Sequence, residues 1–264
     1  MIEGVGSRLA LARRAGFRAW IHRRATRAGF DPRDLERFDR FLRSQSGAAE
    51  GPRGHLLQRP RERYPELTSQ PWHVPAAFEA ARSIEGAFPT VARESAALRG
   101  SFSPHQEALA ATGAWSTYYL SCQGHRLSAH CEECPGTARL IDSLADAREA
   151  GLAYFSALMP GTHLNAHCGP TNTRLRCHLG LEVPDGCRLR VGEETRGWRE
   201  GRCIVFDDSF EHEVWIEADR PRVVLIVDLW HPELNAAERW ALTEIRRLSW
   251  GAWKYWRAVR RVSA

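Results

Sequence analysis

Short apolar runs separated by Gly- and Pro-containing turns fill the second half of the chain. Seven of these runs have the length and the β-branched or aromatic content of strands. They span residues 115–121, 152–158, 174–183, 187–191, 202–206, 211–216 and 222–230. A series of short strands at this spacing is typical of a sandwich or a barrel, so the pattern predicts a mainly β core at about residues 115–232.

Helical periodicity precedes the predicted strands. Residues 5–28 and 33–44 predict two short helices, and Asp31 or Asp34 is placed to cap the second. Residues 45–62 are rich in Gly, Pro, Ser and Arg, a composition that predicts a linker.

Helical spacing returns on both sides of the predicted β core. It is found at residues 76–98 and again in a C-terminal tail at residues 236–259. We therefore expect a basic helical leader with its linker over residues 1–62, and a folded domain over residues 63–264.

Positive charge is concentrated at the N-terminal end. The chain of 264 residues has a formal net charge of +5. Residues 1–50 contain eleven Arg and six acidic residues, 11 − 6 = +5, so the rest of the chain is neutral on balance. A nucleic-acid-binding domain carries its basic residues on the folded body, so we expect no nucleic-acid partner. We expect the leader to be a solvated helix or a lid, with peripheral contact to an anionic membrane as the alternative.

The sequence contains no obvious secretory signal, and no run approaches the roughly 18 apolar residues of a transmembrane segment. Its seven cysteines are an odd number at irregular spacing, which favours a reducing compartment, and we expect a cytoplasmic protein. Cys131 and Cys134 form a CEEC pair that could bind zinc or form a disulfide, and the sequence leaves this open.

Polar side chains recur on single faces of three predicted strands. Because alternate residues of a strand point to opposite faces, Arg174, Arg176 and His178 share one face and hydrophobic residues share the other. Arg222 and Ser156 occupy two further strands of the series. These groups are suited to carboxylates, so they predict a polar pocket for an acid inside the barrel. A solvent-exposed polar face is the alternative.

Two histidines lie where loops meet predicted strands. His167 precedes a turn, and His212 begins the strand at 211–216. Two imidazoles and one carboxylate form the facial triad of non-haem Fe(II) oxygenases. In that triad the carboxylate usually lies two residues after the first histidine, where this chain has Gly169. From these residues alone, an iron site and a weak or absent one both stay open.

Three long motifs resemble those of the aspartyl/asparaginyl β-hydroxylase family of Fe(II)/2-oxoglutarate-dependent dioxygenases. They read MPGTHLNAHCGPTNTRLRCHLGLEVP, WREGRCIVFDDSFEHEVW and RVVLIVDLWHPEL, and the resemblance extends upstream to YPELTSQPW, covering roughly residues 64–234. It implies a mainly β fold: a double-stranded β-helix (jelly-roll, cupin-like) core with flanking N- and C-terminal helices.

The resemblance also implies roles for residues around the metal. Family members hold Fe(II) by two histidines and have glycine in place of the acid, a pattern matched by His167, His212 and Gly169. Asp208 matches an acid near the iron that would hydrogen-bond a water there.

The co-substrate, 2-oxoglutarate, is implied in the same way. Ser156 and Arg222 match the pair that grips its distal carboxylate. Trp115, Arg176 and His178 match further positions of the same pocket.

The implied function is that of an oxidoreductase: hydroxylation, with dioxygen, at the β-carbon of an aspartyl or asparaginyl unit. Arg174 matches an arginine near the substrate carboxylate, so the partner is expected to be an acidic or amide-bearing amino acid, peptide or carrier-bound unit. Residues 108–114 read ALAATGA, where relatives acting on EGF-like domains have charged residues, which argues against such a domain as substrate. The alternatives are hydroxylation of a lipid A-type acyl chain and a catalytically inactive jelly-roll that binds an acidic ligand.

Overall fold

The structure is a computed structural model that describes residues 15–44, 55–105, 109–122 and 125–250. Spatial contacts divide the chain into two compact units. The first comprises residues 1–54, 62–68 and 232–264, and the second comprises residues 55–61 and 69–231. The predicted boundary at residue 62, between a leader and an enzyme domain, stays a prediction.

The described part of the second unit contains thirteen strands. They are β1 (Trp72–His73), β2 (Ser103–Pro104), β3 (Ala110–Thr112), β4 (Trp115–Cys122), β5 (His125–Arg126), β6 (Leu152–Leu158), β7 (His163–His167), β8 (Arg174–Glu182), β9 (Cys187–Val191), β10 (Glu194–Arg196), β11 (Cys203–Phe206), β12 (His212–Ile216) and β13 (Arg222–Trp230). All seven predicted strands are present, each within one residue of its predicted ends.

The strands form two antiparallel sheets. The major sheet has the order β1-β11-β8-β13-β6-β4-β2, with β5 paired to β4, and the minor sheet has the order β10-β9-β12-β7-β3. Strands distant in sequence lie side by side in both sheets, which is the arrangement of a jelly-roll. The predicted mainly β, double-stranded β-helix core is confirmed.

The major sheet lies between two hydrophobic cores. Leu175 and Leu179 of β8 point to its outer face and belong to the same buried cluster as Ile141. On the inner face, Ile226 of β13 belongs to a second buried cluster with Val214 of the minor sheet. The space between the two sheets is therefore the interior of the barrel.

Helices cover the outer face of the major sheet. Glu79–Gly86 and Phe88–Ala97 confirm the helical spacing at residues 76–98. Three shorter helices are not predicted by the sequence pattern: Ser128–Glu133, Pro135–Ser143 and Ala145–Ala150. Each has at most nine residues, too few to show a clear apolar stripe. Five of the six unpredicted strands have only two or three residues, too few to show alternation, and the sixth is β7, with five residues.

The described part of the first unit is helical. It contains Ala15–Arg27, a 3₁₀ turn Pro32–Leu35, Glu36–Ser44 and Ala236–Trp250. Asp31 caps the turn by accepting a hydrogen bond from the backbone N–H of Arg33 at 2.8 Å. Residues 5–14 and 251–259 of the predicted helices, and residues 45–54 of the predicted linker, lie outside the described residues.

The C-terminal helix of the first unit begins with a reciprocal cap. The side chain of Asn235 accepts from the N–H of Glu238 at 2.8 Å, and the Glu238 carboxylate accepts from the N–H of Asn235 at 2.9 Å. The same buried carboxylate pairs with the Arg37 guanidinium and accepts from the Tyr64 hydroxyl. In the described ranges, no helix has both the length and the apolar composition of a membrane span.

Candidate functional site

The two predicted iron ligands lie opposite each other on adjacent strands. His212 of β12 pairs with His167 of β7, and their ring centroids are 4.1 Å apart. The next pair in the ladder is Val214 with Leu164, so β7 contains one more residue than β12 between the two pairs. This β-bulge turns His167 to the same inner face as Leu164.

Backbone carbonyls orient both imidazoles. Nδ1 of His167 lies 2.7 Å from the carbonyl oxygen of Asn165, and Nδ1 of His212 lies 3.0 Å from that of Phe210. A carbonyl only accepts, so each Nδ1 carries the hydrogen and each Nε2 keeps its lone pair. Burial and, to a smaller extent, the proximity of His167 together lower the pKa of His212 to about 4, so His212 is neutral at pH 7. Neutral imidazoles with a free Nε2 are metal ligands.

Gly169 leaves room for the carboxylate of Asp208. The backbone N–H of Gly169 donates to the backbone carbonyl of Asp208 at 2.6 Å, which brings the two residues together. Burial alone would raise the pKa of the Asp208 carboxyl, but the nearby Arg176, His212 and Arg174 outweigh it and lower that pKa. An ionised carboxylate therefore lies near His212, although position 169 supplies none.

The donor set fits a metal held by two histidines. Among the described residues, no group of three or more His, Cys, Asp and Glu side chains has metal-binding geometry. The carboxylate of Asp208 is bonded to Nε of Arg176 at 2.8 Å. His167 and His212 thus remain as two imidazole donors, a ligand type that suits Fe(II).

Two arginines of β8 share one buried carboxylate. Oδ2 of Asp228 accepts from Nη1 of Arg174 at 2.7 Å, and Oδ1 accepts from Nη1 of Arg176 at 2.5 Å. The backbone N–H of Leu152 adds a bond to Oδ2 at 3.0 Å. Burial alone would lower the pKa of Arg176, yet Asp228 and Asp208 raise it well above its usual value. The charges alternate in the order Arg174, Asp228, Arg176, Asp208.

Arg222 is a buried cation with free donors. Its side chain is 2% exposed, and neither Nε nor Nη1 has a hydrogen-bond partner. Burial lowers the pKa of its guanidinium to about 10. Arg222 lies opposite Leu158, which belongs to the inner core, so the guanidinium is on the inner face of the major sheet. An unpaired buried charge is costly, and such a group is expected to have an anionic ligand.

Ser156 and Trp115 lie on the same inner face. Trp115 pairs with Leu158, and Ser156 pairs with Val224, a residue of the inner core. The Trp115 Nε1–H donates to the hydroxyl oxygen of Ser156 at 3.0 Å, so the serine hydrogen is left to donate to another group.

His178 is the remaining predicted pocket residue. It pairs with Ile226 on the inner face and is 7% exposed. Burial, together with Arg222 and Arg176, lowers the pKa of His178 well below its usual value. All of the predicted site residues thus belong to the second unit and lie in or beside the interior of the barrel.

Three further residues contact this site. Trp198 touches both His178 and Arg222, Asp228 bridges the two arginines of β8, and His105 stacks on Trp115 with ring centroids 3.5 Å apart. Burial, with smaller contributions from Arg176 and His167, lowers the pKa of His105 to about 4. Trp198 had a signal in the sequence, since it is the single aromatic residue in the charged stretch EETRGWREGR.

Cys131 and Cys134 lie away from this site, in the hydrophobic cluster on the outer face of the major sheet. Both are free thiols, and their sulfur atoms donate to the carbonyl oxygens of Leu120 and His130. They are therefore not joined by a disulfide in this structure.

Residues 85–232 match the sequence profile of the family described as aspartyl/asparaginyl beta-hydroxylase. The human protein "Aspartyl/asparaginyl beta-hydroxylase" is 39% identical over 206 residues, 73% of this chain and 27% of that protein. Human "Aspartate beta-hydroxylase domain-containing protein 1" is 40% identical over 79% of this chain and 57% of its own length. The corresponding protein 2 is 51% identical over 50% of this chain and 37% of its own.

A solved Pseudomonas putida prolyl-4-hydroxylase aligns with 57% of this chain and 87% of its own at 15% identity, with a TM-score of 0.35. The chain spans about a quarter to three fifths of the length of the curated relatives it matches. The family profile covers more than half of the chain, including both histidines and the buried arginines. The chain belongs to the aspartyl/asparaginyl β-hydroxylase family.

Proposed function

We propose that this protein is an Fe(II)/2-oxoglutarate-dependent hydroxylase that acts at the β-carbon of an aspartyl or asparaginyl unit. The observation that carries the proposal is the Arg222 guanidinium, buried inside the barrel with two unpaired donor nitrogens. A guanidinium offers two parallel N–H donors to a carboxylate, so Arg222 is suited to the distal carboxylate of 2-oxoglutarate. Membership of the family supports the reaction class.

His167 and His212 would hold the iron through their Nε2 atoms. Their shared face, the backbone bonds to both Nδ1 atoms and the neutral state of His212 support this assignment. When bound, Fe(II) supplies the oxidising chemistry that couples conversion of 2-oxoglutarate to succinate with hydroxylation by dioxygen. The protein's own contribution is to position the co-substrate and one C–H bond of the substrate.

Other residues of the pocket would contact 2-oxoglutarate or a water molecule near the iron. The Ser156 hydroxyl would join Arg222 at the distal carboxylate, and Trp115 fixes the serine through its indole N–H. Arg176 and His178 would contact the rest of 2-oxoglutarate. The Asp208 carboxylate would accept a hydrogen bond from water near the iron, because its lowered pKa keeps it ionised.

Arg174 would pair with a carboxylate of the substrate. It lies at the start of β8, and its Nη1 is held by Asp228, which fixes the direction of the guanidinium. The substrate is accordingly proposed to be an acidic or amide-bearing amino acid, peptide or carrier-bound unit. The relatives named as aspartyl/asparaginyl and aspartate β-hydroxylases support this class. A cytoplasmic location is part of the proposal, supported by seven free cysteines.

The proposal is tested with purified protein, Fe(II), 2-oxoglutarate and dioxygen. Succinate is measured first without an acceptor and then with Asp- and Asn-containing peptides, free Asp and Asn, and a lipid A-type acyl acceptor. The expected result is iron-dependent succinate formation, stimulated by an Asp or Asn acceptor that gains one oxygen atom. Stimulation by the acyl acceptor alone transfers the assignment to lipid hydroxylation. Binding of 2-oxoglutarate without succinate from any acceptor indicates the inactive binding protein.

A further inference from the structure

Trp198 is buried although its surroundings in the sequence are charged. It follows β10 and precedes β11, and it is 5% exposed. Its ring belongs to the hydrophobic core between the two sheets. From there it contacts two residues of the pocket, His178 and Arg222.

The first contact determines where the His178 imidazole carries its hydrogen. Nε1 of Trp198 donates to Nδ1 of His178 at 3.3 Å. An indole nitrogen is a donor only, so Nδ1 of His178 must be an acceptor without a hydrogen. A neutral imidazole has one hydrogen, which is therefore on Nε2. His178 thus presents Nε2–H as a donor for an anionic ligand.

The second contact stabilises Arg222 without using its donors. The guanidinium carbon of Arg222 lies 4.8 Å from the centroid of the Trp198 ring. An aromatic face attracts a cation through its quadrupole and does not accept the in-plane N–H bonds of the guanidinium. This agrees with Nε and Nη1 of Arg222 having no partner although the side chain is buried. One indole therefore keeps two neighbouring groups available as donors.

We infer that Trp198 is a positioning residue for the co-substrate: its N–H fixes the Nε2–H form of His178, and its ring holds Arg222 with free donors. The inference rests on the proposed function, since the ligand it serves is 2-oxoglutarate. Trp198 acts through His178 and Arg222 and is not proposed to touch the ligand itself.

Three variants separate these contributions. Trp198→Phe keeps an aromatic ring and removes the N–H donor, whereas Trp198→Leu removes both. Trp72→Phe is the matched control, because Trp72 is also 5% exposed and lies in the same core, but its Nε1 has no hydrogen-bond partner. Each protein is loaded with Zn(II) for long-range ¹H–¹⁵N correlation of the histidine rings, with His178→Gln assigning the His178 signals. Calorimetry of the Mn(II)-loaded proteins gives the Kd of 2-oxoglutarate.

The wild-type protein is expected to show the Nε2–H form of His178, and Trp198→Phe a mixture of both forms. Loss of one hydrogen bond should raise the Kd of 2-oxoglutarate about 3- to 10-fold in Trp198→Phe. Trp198→Leu should raise it further, and Trp72→Phe should leave the Kd within about twofold, because its N–H makes no bond to lose.

An Nδ1–H form of His178 in the wild-type protein overturns the inference. Because this measurement uses the wild-type protein, it tests the inference even if a variant does not fold. An unchanged imidazole and an unchanged Kd in Trp198→Phe also overturn it. Both results leave the proposed function intact when the wild-type protein binds 2-oxoglutarate. Failure of the wild-type protein to bind 2-oxoglutarate overturns the proposed function, and the inference with it.

Discussion

Gly169 lies directly against the carboxylate of Asp208. A Cβ atom placed at position 169 would be 2.5 Å from Cγ and Oδ1 of Asp208 and 2.6 Å from Oδ2. Asp208 is buried and bonded to Arg176, so it cannot move aside cheaply. Position 169 is where the facial triad of iron oxygenases has its carboxylate. In this protein the carboxylate of Asp208 fills the space beside it, so position 169 has no room for a side chain.

The first prediction follows from this contact. Gly169→Ala should lower the free energy of unfolding by about 1–3 kcal/mol, the usual cost of overpacking. Gly169→Asp should destabilise more, since it places a second negative charge beside Asp208, and it should not increase Fe(II) affinity. Thermal unfolding and Fe(II) titration measure the two effects. Gly86→Ala is the control, because a Cβ there would have no atom within 4 Å. Tighter iron binding by Gly169→Asp would contradict this account of the site.

The second prediction concerns the histidines. His167→Ala and His212→Ala should each abolish binding of Fe(II) or Mn(II) at micromolar concentrations, because two protein ligands leave little redundancy. His163→Ala is the control on the same strand, since its imidazole pairs with Glu213 rather than with either proposed ligand. Metal content after desalting distinguishes the variants. Full occupancy in the His212→Ala protein would refute the assignment.

The third prediction separates Arg174 from Asp228. Arg174→Ala should raise the KM of the substrate about 10- to 100-fold while acceptor-free succinate formation is largely kept. Asp228→Asn should weaken substrate and 2-oxoglutarate together, because Asp228 bonds to both Arg174 and Arg176. Steady-state kinetics with each ligand varied in turn measures the difference. Equal loss of acceptor-free succinate formation in the two variants would show that Arg174 serves the co-substrate.

The fourth prediction concerns Asp207, a buried neighbour of the site. Burial raises the pKa of its carboxyl to about 7, although bonds from Ser209 and Gln58 oppose the shift. In the unfolded chain the pKa of an Asp carboxyl is about 4. Between about pH 4 and pH 7 the folded state therefore binds one proton more than the unfolded state. Its contribution to stability is therefore present below about pH 4 and is lost as the pH rises through about 7.

Asp207→Asn removes this titration. The Tm of the wild type minus that of Asp207→Asn should accordingly fall between about pH 4 and pH 7 and level off above it. Asp219→Asn, at a carboxylate whose side chain is 92% exposed, should show no such change. A Tm difference that is constant or rises with pH would show that Asp207 is ionised in the folded protein throughout.

Strand alternation was sufficient to predict which face of β8 carries the polar side chains. Arg176 and His178 alternate with Leu175, Cys177 and Leu179 along β8, and the register with β13 places them on the inner face as expected. The prediction worked because β8 and β13 are long and regular in this region, so counting by two gives the correct face.

Alternation fails on β7. Leu164 points to the inner face, so strict alternation would place His167 on the outer face together with His163 and Asn165. The β-bulge between Leu164 and His167 instead turns His167 to the inner face. A single extra residue in one strand leaves no trace in the hydrophobic pattern. Trp198 could not be placed either, because it lies in a connection between strands, where no period relates sequence to face. For these residues the three-dimensional structure was needed.

We propose that the barrel binds 2-oxoglutarate at an iron held by His167 and His212, with Arg222 on the distal carboxylate. Anaerobic titration of 2-oxoglutarate into the Fe(II)-loaded protein, followed by the metal-to-ligand charge-transfer band, tests it most directly. Arg222→Gln should raise the Kd by about a hundred- to several-thousand-fold, from the roughly 3–5 kcal/mol cost of breaking a buried ion pair. Arg222→Lys should also bind weakly, because an ammonium lacks the two parallel donors.

Iron binding should be unchanged in both Arg222 variants, and Arg188→Gln, at an exposed ion pair on the minor sheet, should titrate like the wild type. The wild-type protein should show a saturable band, and Arg222→Gln should need far more 2-oxoglutarate before the band appears. No band in the iron-loaded wild type, or the same Kd with and without the Arg222 guanidinium, would contradict the proposal.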